Sequence, residues 1–82
     1  MSAALHPRPS QVHVAEEYLD IVNELLPKAT PEGAYSIGLV SALCWLSRMK
    51  PTRSVLECAA QAKTIAHAID VFEQWREIGG KV

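Results

Sequence analysis

From Ala34 to Ser47 the chain carries no charged residue, and its apolar side chains do not keep to one side of a helix. At helical spacing, Tyr35, Leu39, Ala42, Leu43, Leu46 and Met49 make one stripe. Ile37, Val40 and Cys44 make a second, roughly opposite, and only Ser36, Ser41, Ser47 and Arg48 interrupt. A helix that is apolar on nearly all sides must be covered on nearly all sides. Its start is well marked by Thr30-Pro31-Glu32. Thr is a good N-cap, Pro is favoured at the first helical position, and Glu complements the positive helix end. The spacing predicts a helix from Pro31 to about Met49. Ala34, Gly38, Ser41 and Ala42 give it small residues that would allow a close helix crossing.

The flanking segments are also helical in pattern. Ser10 follows Pro9 as a candidate N-cap. Val12, Ala15, Tyr18, Leu19, Val22, Leu25 and Leu26 then recur on one face, with Glu16, Glu17, Asp20 and Glu24 on the other, until Pro27 stops the run. After Lys50-Pro51, either Thr52 or Ser54 caps a third helix, and Ser54 with Glu57 has capping-box spacing. That helix is predicted to run unbroken to about Ile78 and to stop at Gly79-Gly80. Its main stripe is Val55, Cys58, Ala62, Ile65, Ile69 and Phe72, and a second lies nearly opposite at Ala68, Val71, Trp75 and Ile78. There is no strand pattern and no internal repeat. Eighty-two residues suffice for one core and not for two. The expectation is therefore an all-α, three-helix antiparallel bundle over residues 10–82, with a long hairpin of helices two and three. A flexible arm, residues 1–9, precedes it.

Composition narrows the function. With 49% hydrophobic residues, 21% charged residues and a net charge of −1, the chain is neither disordered nor a basic nucleic-acid binder. Its longest apolar stretch, Ile37 to Leu46, is ten residues, too short to cross a membrane. Met1 to Pro9 lacks the apolar core of a secretory leader, so a cytoplasmic protein is expected. Cys44 and Cys58 are then expected as reduced, buried thiols, although a turn near Pro51 would set them at similar heights on neighbouring helices.

Chemistry-bearing constellations are sparse. His6, His13 and His67 are scattered, and no Cys-x-x-Cys or His-x-x-x-His spacing suggests a metal. Cys58 and His67 are two and a half turns apart, too far for a nucleophile–base pair. No Gly-rich phosphate loop is present, and no cofactor or enzymatic activity is expected. The acids of helix one read as a solvated face or as a contact surface for a basic partner. Arg48, Lys50 and Arg53 cluster at the turn before helix three, the placement a DNA reader would use. Glu57, Asp70, Glu73 and Glu77 along that helix would repel phosphates.

The surplus apolar surface is the strongest functional signal. A three-helix bundle buries one stripe per helix, while helices two and three each carry two. The extra set is Ile37, Val40, Cys44, Ala68, Val71, Trp75 and Ile78, and it is predicted to form a docking surface anchored by Trp75. A homodimer is one expected outcome.

The stretch PEGAYSIGLVSALCWLSRMKPTRSVLECAAQAKTIAHAIDVFEQW, residues 31–75, resembles the QslA-like quorum-sensing anti-activators of pseudomonads. That resemblance covers just over half of the chain. It implies a small helical protein that binds a LuxR-type, LasR-like receptor responsive to an acyl-homoserine lactone. The anti-activator would occupy the receptor's dimerisation surface, so that the receptor cannot pair and bind promoter DNA. No contact residue carries over from the resemblance. The alternatives left open by the residues themselves are a homodimeric helical scaffold and a DNA-binding helical domain.

Overall fold

The computed structural model describes residues 9–80, with side-chain surroundings from Glu16 onward. Within them the chain is all-helical, with four helices instead of the three expected: α1 (Pro9–Leu25), α2 (Pro31–Leu46), α3 (Arg53–Ala60) and α4 (Ile65–Glu77). A 3-10 turn, Leu26–Lys28, links α1 to α2. The arm expected over residues 1–9 lies outside the described residues, except that Pro9 opens α1 one residue before Ser10. None of the described helices is long and apolar enough to cross a membrane.

Caps set the boundaries. The Thr30 hydroxyl oxygen accepts from the Gly33 N–H at 3.0 Å and starts α2 at Pro31. Helix α2 stops at Leu46, three residues earlier than its apolar pattern, because the chain turns into the left-handed region at Arg48, φ 58°. The Met49 N–H then donates to the Cys44 carbonyl at 2.8 Å and the Arg48 N–H to that of Trp45 at 3.1 Å. This is a Schellman turn closed without glycine. Thr52, not Ser54, caps α3, accepting from the Val55 N–H at 3.4 Å. Glu57 faces Arg53 at 3.7 Å and takes no part in a capping box.

The long third helix is the main error of the sequence reading. No Gly or Pro interrupts residues 53–78, yet the helix breaks between Ala60 and Ile65. Thr64 caps a new helix by accepting from the His67 N–H at 3.0 Å. The broken segment is also held from the side: the Ser36 hydroxyl donates to the Ala62 carbonyl at 3.4 Å. The break lets α4 pack against both α2 and α3. At its end, Gly79 adopts φ 83° and closes a second Schellman turn, with the Gly80 N–H on the Trp75 carbonyl at 2.9 Å.

The core is Ile37, Val40 and Cys44 of α2, Val55, Leu56 and Ala59 of α3, Ala62, and Ala68, Phe72 and Trp75 of α4. Helix α1 adds no fully buried side chain among those described; Tyr18, Ile21, Val22 and Leu25 pack half-buried against this cluster. Gly38 and Ala42, two of the small residues expected at a close crossing, are exposed, and α2 turns inward the face of Ile37, Val40 and Cys44. Gly33, Ser36 and Ser41 are all buried there. A Cβ on Gly33 would sit 2.2 Å from the Ala60 carbonyl oxygen, so this face is the one that admits a neighbouring backbone. The Ser41 hydroxyl is satisfied within the helix by the Ile37 carbonyl at 2.6 Å.

Candidate protein-binding surface

With the Ile37, Val40 and Cys44 face of α2 inside, the Tyr35–Leu46 stripe is outside. Tyr35 is 62% exposed and Leu46 82%, with Gly38 and Ala42 exposed and Leu39 and Leu43 half-buried between them. Tyr35, Leu39, Ala42 and Leu46 follow one another at spacings of four, three and four, the seam spacing of paired helices. At 1.5 Å per residue this strip is about 16 Å long. No charged side chain stands within it. Helix α4 extends it sideways: Ile65 is 55% exposed and lines the same depression as Tyr35, with Ile69 exposed one turn further on. Trp45 borders the strip on the side of α1, where the Tyr18 ring meets it edge-on at 5.7 Å.

The sequence-predicted docking set is corrected by this arrangement. Ile37, Val40, Cys44, Ala68 and Trp75 are core residues. The broken third helix accounts for the α4 part. Four residues outside any helix separate α3 from α4 and reset the helical phase, so Ala68, Phe72 and Trp75 face inward while Ile65 and Ile69 rotate out. Val71 is half-buried and Ile78 is exposed. These two do come together with Trp75, as walls of an open groove between α3 and α4 that Cys58 also lines, about 310 Å³ in volume. The most exposed large apolar side chains of α2 belong to the opposite stripe, with Tyr35 and Leu46 at its ends.

The cysteines differ from each other. Cys44 is buried, and its burial pushes the thiol up to about 11. Cys58, expected in the seam, is exposed, and both are free thiols. For Cys44 the upward shift is the opposite of the lowered pKa that marks a nucleophilic thiol. Among the described residues no three His, Cys, Asp or Glu side chains come together as metal ligands.

The two charge clusters find each other. Lys50 pairs with Glu17, and the Arg53 guanidinium takes both oxygens of Glu24, at 2.5 and 3.4 Å. Part of the acidic face of α1 is thus neutralised by this chain's own α2–α3 turn.

No protein-family model, curated protein or solved structure matches the chain. The functional reading therefore rests on the surface itself. Burying one large aliphatic side chain is worth about 1.5–3 kcal/mol. A strip of Tyr35, Leu39 and Leu46 flanked by Ile65 and Ile69 thus gives a partner enough apolar contact for a hot-spot cluster. The sequence pattern predicts the Ile37, Val40 and Cys44 stripe of α2 to face outward, and the structure buries it. Gly33, at the start of α2, is the residue that marks the side where the α3 backbone approaches.

Proposed function

We propose that this chain is a non-enzymatic protein-binding module that acts by occluding a partner's self-association surface. The partner is a LuxR-type, LasR-like quorum-sensing activator, whose dimerisation and DNA binding would be blocked. The observation that carries the reading is the uncharged outward seam of α2, Tyr35 to Leu46, none of whose members is among the fully buried core residues. A seam at three–four spacing is suited to a helix laid along it. The resemblance of residues 31–75 to QslA-like anti-activators supplies the class of partner, and that segment contains the whole seam.

The test is a titration of the purified protein into a ligand-loaded LasR-like receptor, followed by gel filtration and promoter-DNA mobility shift. A complex that displaces receptor dimers and abolishes the shift is expected. Leu46→Lys and Tyr35→Glu should each weaken it at least tenfold. Receptor dimers that persist at micromolar excess of the protein would remove this reading.

A homodimeric helical scaffold is the second reading, favoured by the same spacing, since a seam of this kind can pair with its own copy. Light scattering separates the two. A dimer disrupted by Leu46→Lys, with no receptor binding, would support the scaffold. Pairing of Lys50 and Arg53 with Glu17 and Glu24 speaks against the DNA-binding alternative, because those cations are already engaged.

A further inference from the structure

We propose that α1 is a detachable strap, released as a unit while α2, α3 and α4 stay folded. Every fully buried apolar side chain among the described residues belongs to α2, α3, α4, the Pro51 turn or the Ala62 link; none comes from the described part of α1. Among the described residues, α1 is held by a half-buried stripe, Tyr18, Ile21, Val22 and Leu25, and by ion pairs from Glu17 and Glu24 whose side chains are all roughly half exposed. Stripes and pairs of this kind open at lower free energy than a closed core does.

The chain also has a place to bend. The 3-10 turn Leu26–Lys28 contains no buried residue. The cap of α2, Thr30 to the Gly33 N–H, is made entirely beyond that turn and does not depend on α1. Lifting α1 therefore leaves the start of α2 intact.

Release has a defined consequence. Helix α1 lies against α3, and Tyr18 covers the edge of Trp45. Trp45 stands at the border of the α2 seam. With the strap off, the Trp45 edge that Tyr18 covers is added to the border of the seam. The outward face then exists in a narrow and a wide form, set by whether the Glu17–Lys50 and Glu24–Arg53 clasps are closed. The opening itself does not require the seam to have a partner.

Native-state hydrogen exchange followed residue by residue, in increasing urea, tests this on the intact chain. The Val22 and Leu25 amides should show protection about tenfold or more below that of Val40 and Leu56, with a much weaker urea dependence. Glu17→Lys should lower α1 protection a further several-fold and leave Val40 unchanged. Adding Lys50→Glu to that variant should restore α1 protection, which a change in helix propensity alone would not do. Equal protection and equal urea slopes across α1 and the core would overturn the proposal, as would a Glu17→Lys effect spread evenly over all four helices.

Discussion

Arg53, the first residue of α3, grips both carboxylate oxygens of Glu24, in the last turn of α1. Hydrogen bonding to Arg53, reinforced by its charge, holds the Glu24 carboxyl below the usual glutamate range; burial opposes this slightly, and Lys28 adds to the lowering. A carboxyl lowered in the folded state contributes stability above its unfolded value, about 4.3, and loses it as pH falls through the folded value. Docking of α1 should therefore weaken below about pH 4, read as a loss of near-ultraviolet dichroism from the Tyr18–Trp45 contact. Glu24→Gln should show a weakened signal already at neutral pH and a flatter acid limb. An acid profile identical in the variant would show that Arg53 and Glu24 contribute nothing to docking.

Two glycines of α2 should respond in opposite ways to alanine. At Gly38 a new methyl meets no atom within 4 Å. Replacing this exposed mid-helix glycine should stabilise the protein by about 1 kcal/mol, the helix-propensity difference. At Gly33 the methyl would lie 2.2 Å from the Ala60 carbonyl oxygen and 3.3 Å from the Thr30 hydroxyl oxygen. That substitution must push α3 away from α2 and should lose several kcal/mol, in the range of severe core overpacking. Urea midpoints of both variants decide this. A Gly38→Ala variant that gains stability but loses partner binding would place the notch at Gly38 within the docking seam.

Arg48 occupies a left-handed position that glycine fills at the end of α4. The strain for a non-glycine residue there is about 1–2 kcal/mol, partly offset by the greater unfolded-state freedom of glycine. Arg48→Gly should raise the melting temperature by about 4 °C or more, the shift expected for roughly 1 kcal/mol in a domain of this size. Among the described residues no ion pair of Arg48 has to be broken to make the change. An unchanged or lowered melting point would mean that the arginine is held by contacts stronger than the strain.

The thiols should separate cleanly under alkylation. Cys58 is exposed and should react with iodoacetamide in the folded protein, while Cys44 should react only on unfolding, giving one modified thiol per chain by mass spectrometry. Cys44 also makes stability fall at high pH. Its thiol titrates near 8.5 when unfolded and near 11 when folded, so its contribution is complete below the first value and is lost as pH rises towards the second. Cys44→Ala should reduce that alkaline fall. Rapid double modification under native conditions would contradict the burial of Cys44.

Much of this fold can be read from capping chemistry, because Thr30-Pro31-Glu32 and Gly79-Gly80 act locally. Thr64 is the same kind of signal and went unread. An N-cap in the middle of an apolar pattern, with no Gly or Pro beside it, competes with helix continuation. Here the Ser36–Ala62 hydrogen bond from another helix accompanies the break. That partner is 26 residues away in sequence, so no local window contains it. The docking face was mislocated for a related reason. Two opposed stripes on α2 satisfy the same periodicity, and a tertiary approach distinguishes them: at Gly33 the Ala60 carbonyl of α3 comes so close that a Cβ would lie 2.2 Å from its oxygen. The meeting of Glu24 with Arg53 was likewise invisible, although both charge clusters were plain, because it depends on how α1 folds back.

Trp75 and Leu46 put the inversion of the stripes to a direct test. Trp75 is 5% exposed and packs beside Phe72 at a ring separation of 6.2 Å. Truncating it to alanine removes a large core side chain and should cost about 3–5 kcal/mol, a large share of the roughly 5–15 kcal/mol that holds a small domain together. Leu46 projects into solvent, and lysine there also suits the negative end of α2. Leu46→Lys should leave the unfolding midpoint within about 0.5 kcal/mol of the parent and should increase solubility. Both residues were read from sequence as members of apolar stripes, with Trp75 assigned outward and Leu46 inward. Circular dichroism melts of the two variants would reverse those assignments if Trp75→Ala unfolds the chain and Leu46→Lys does not. The opposite pair of results would return Leu46 to the core and remove the outward seam on which the binding role depends.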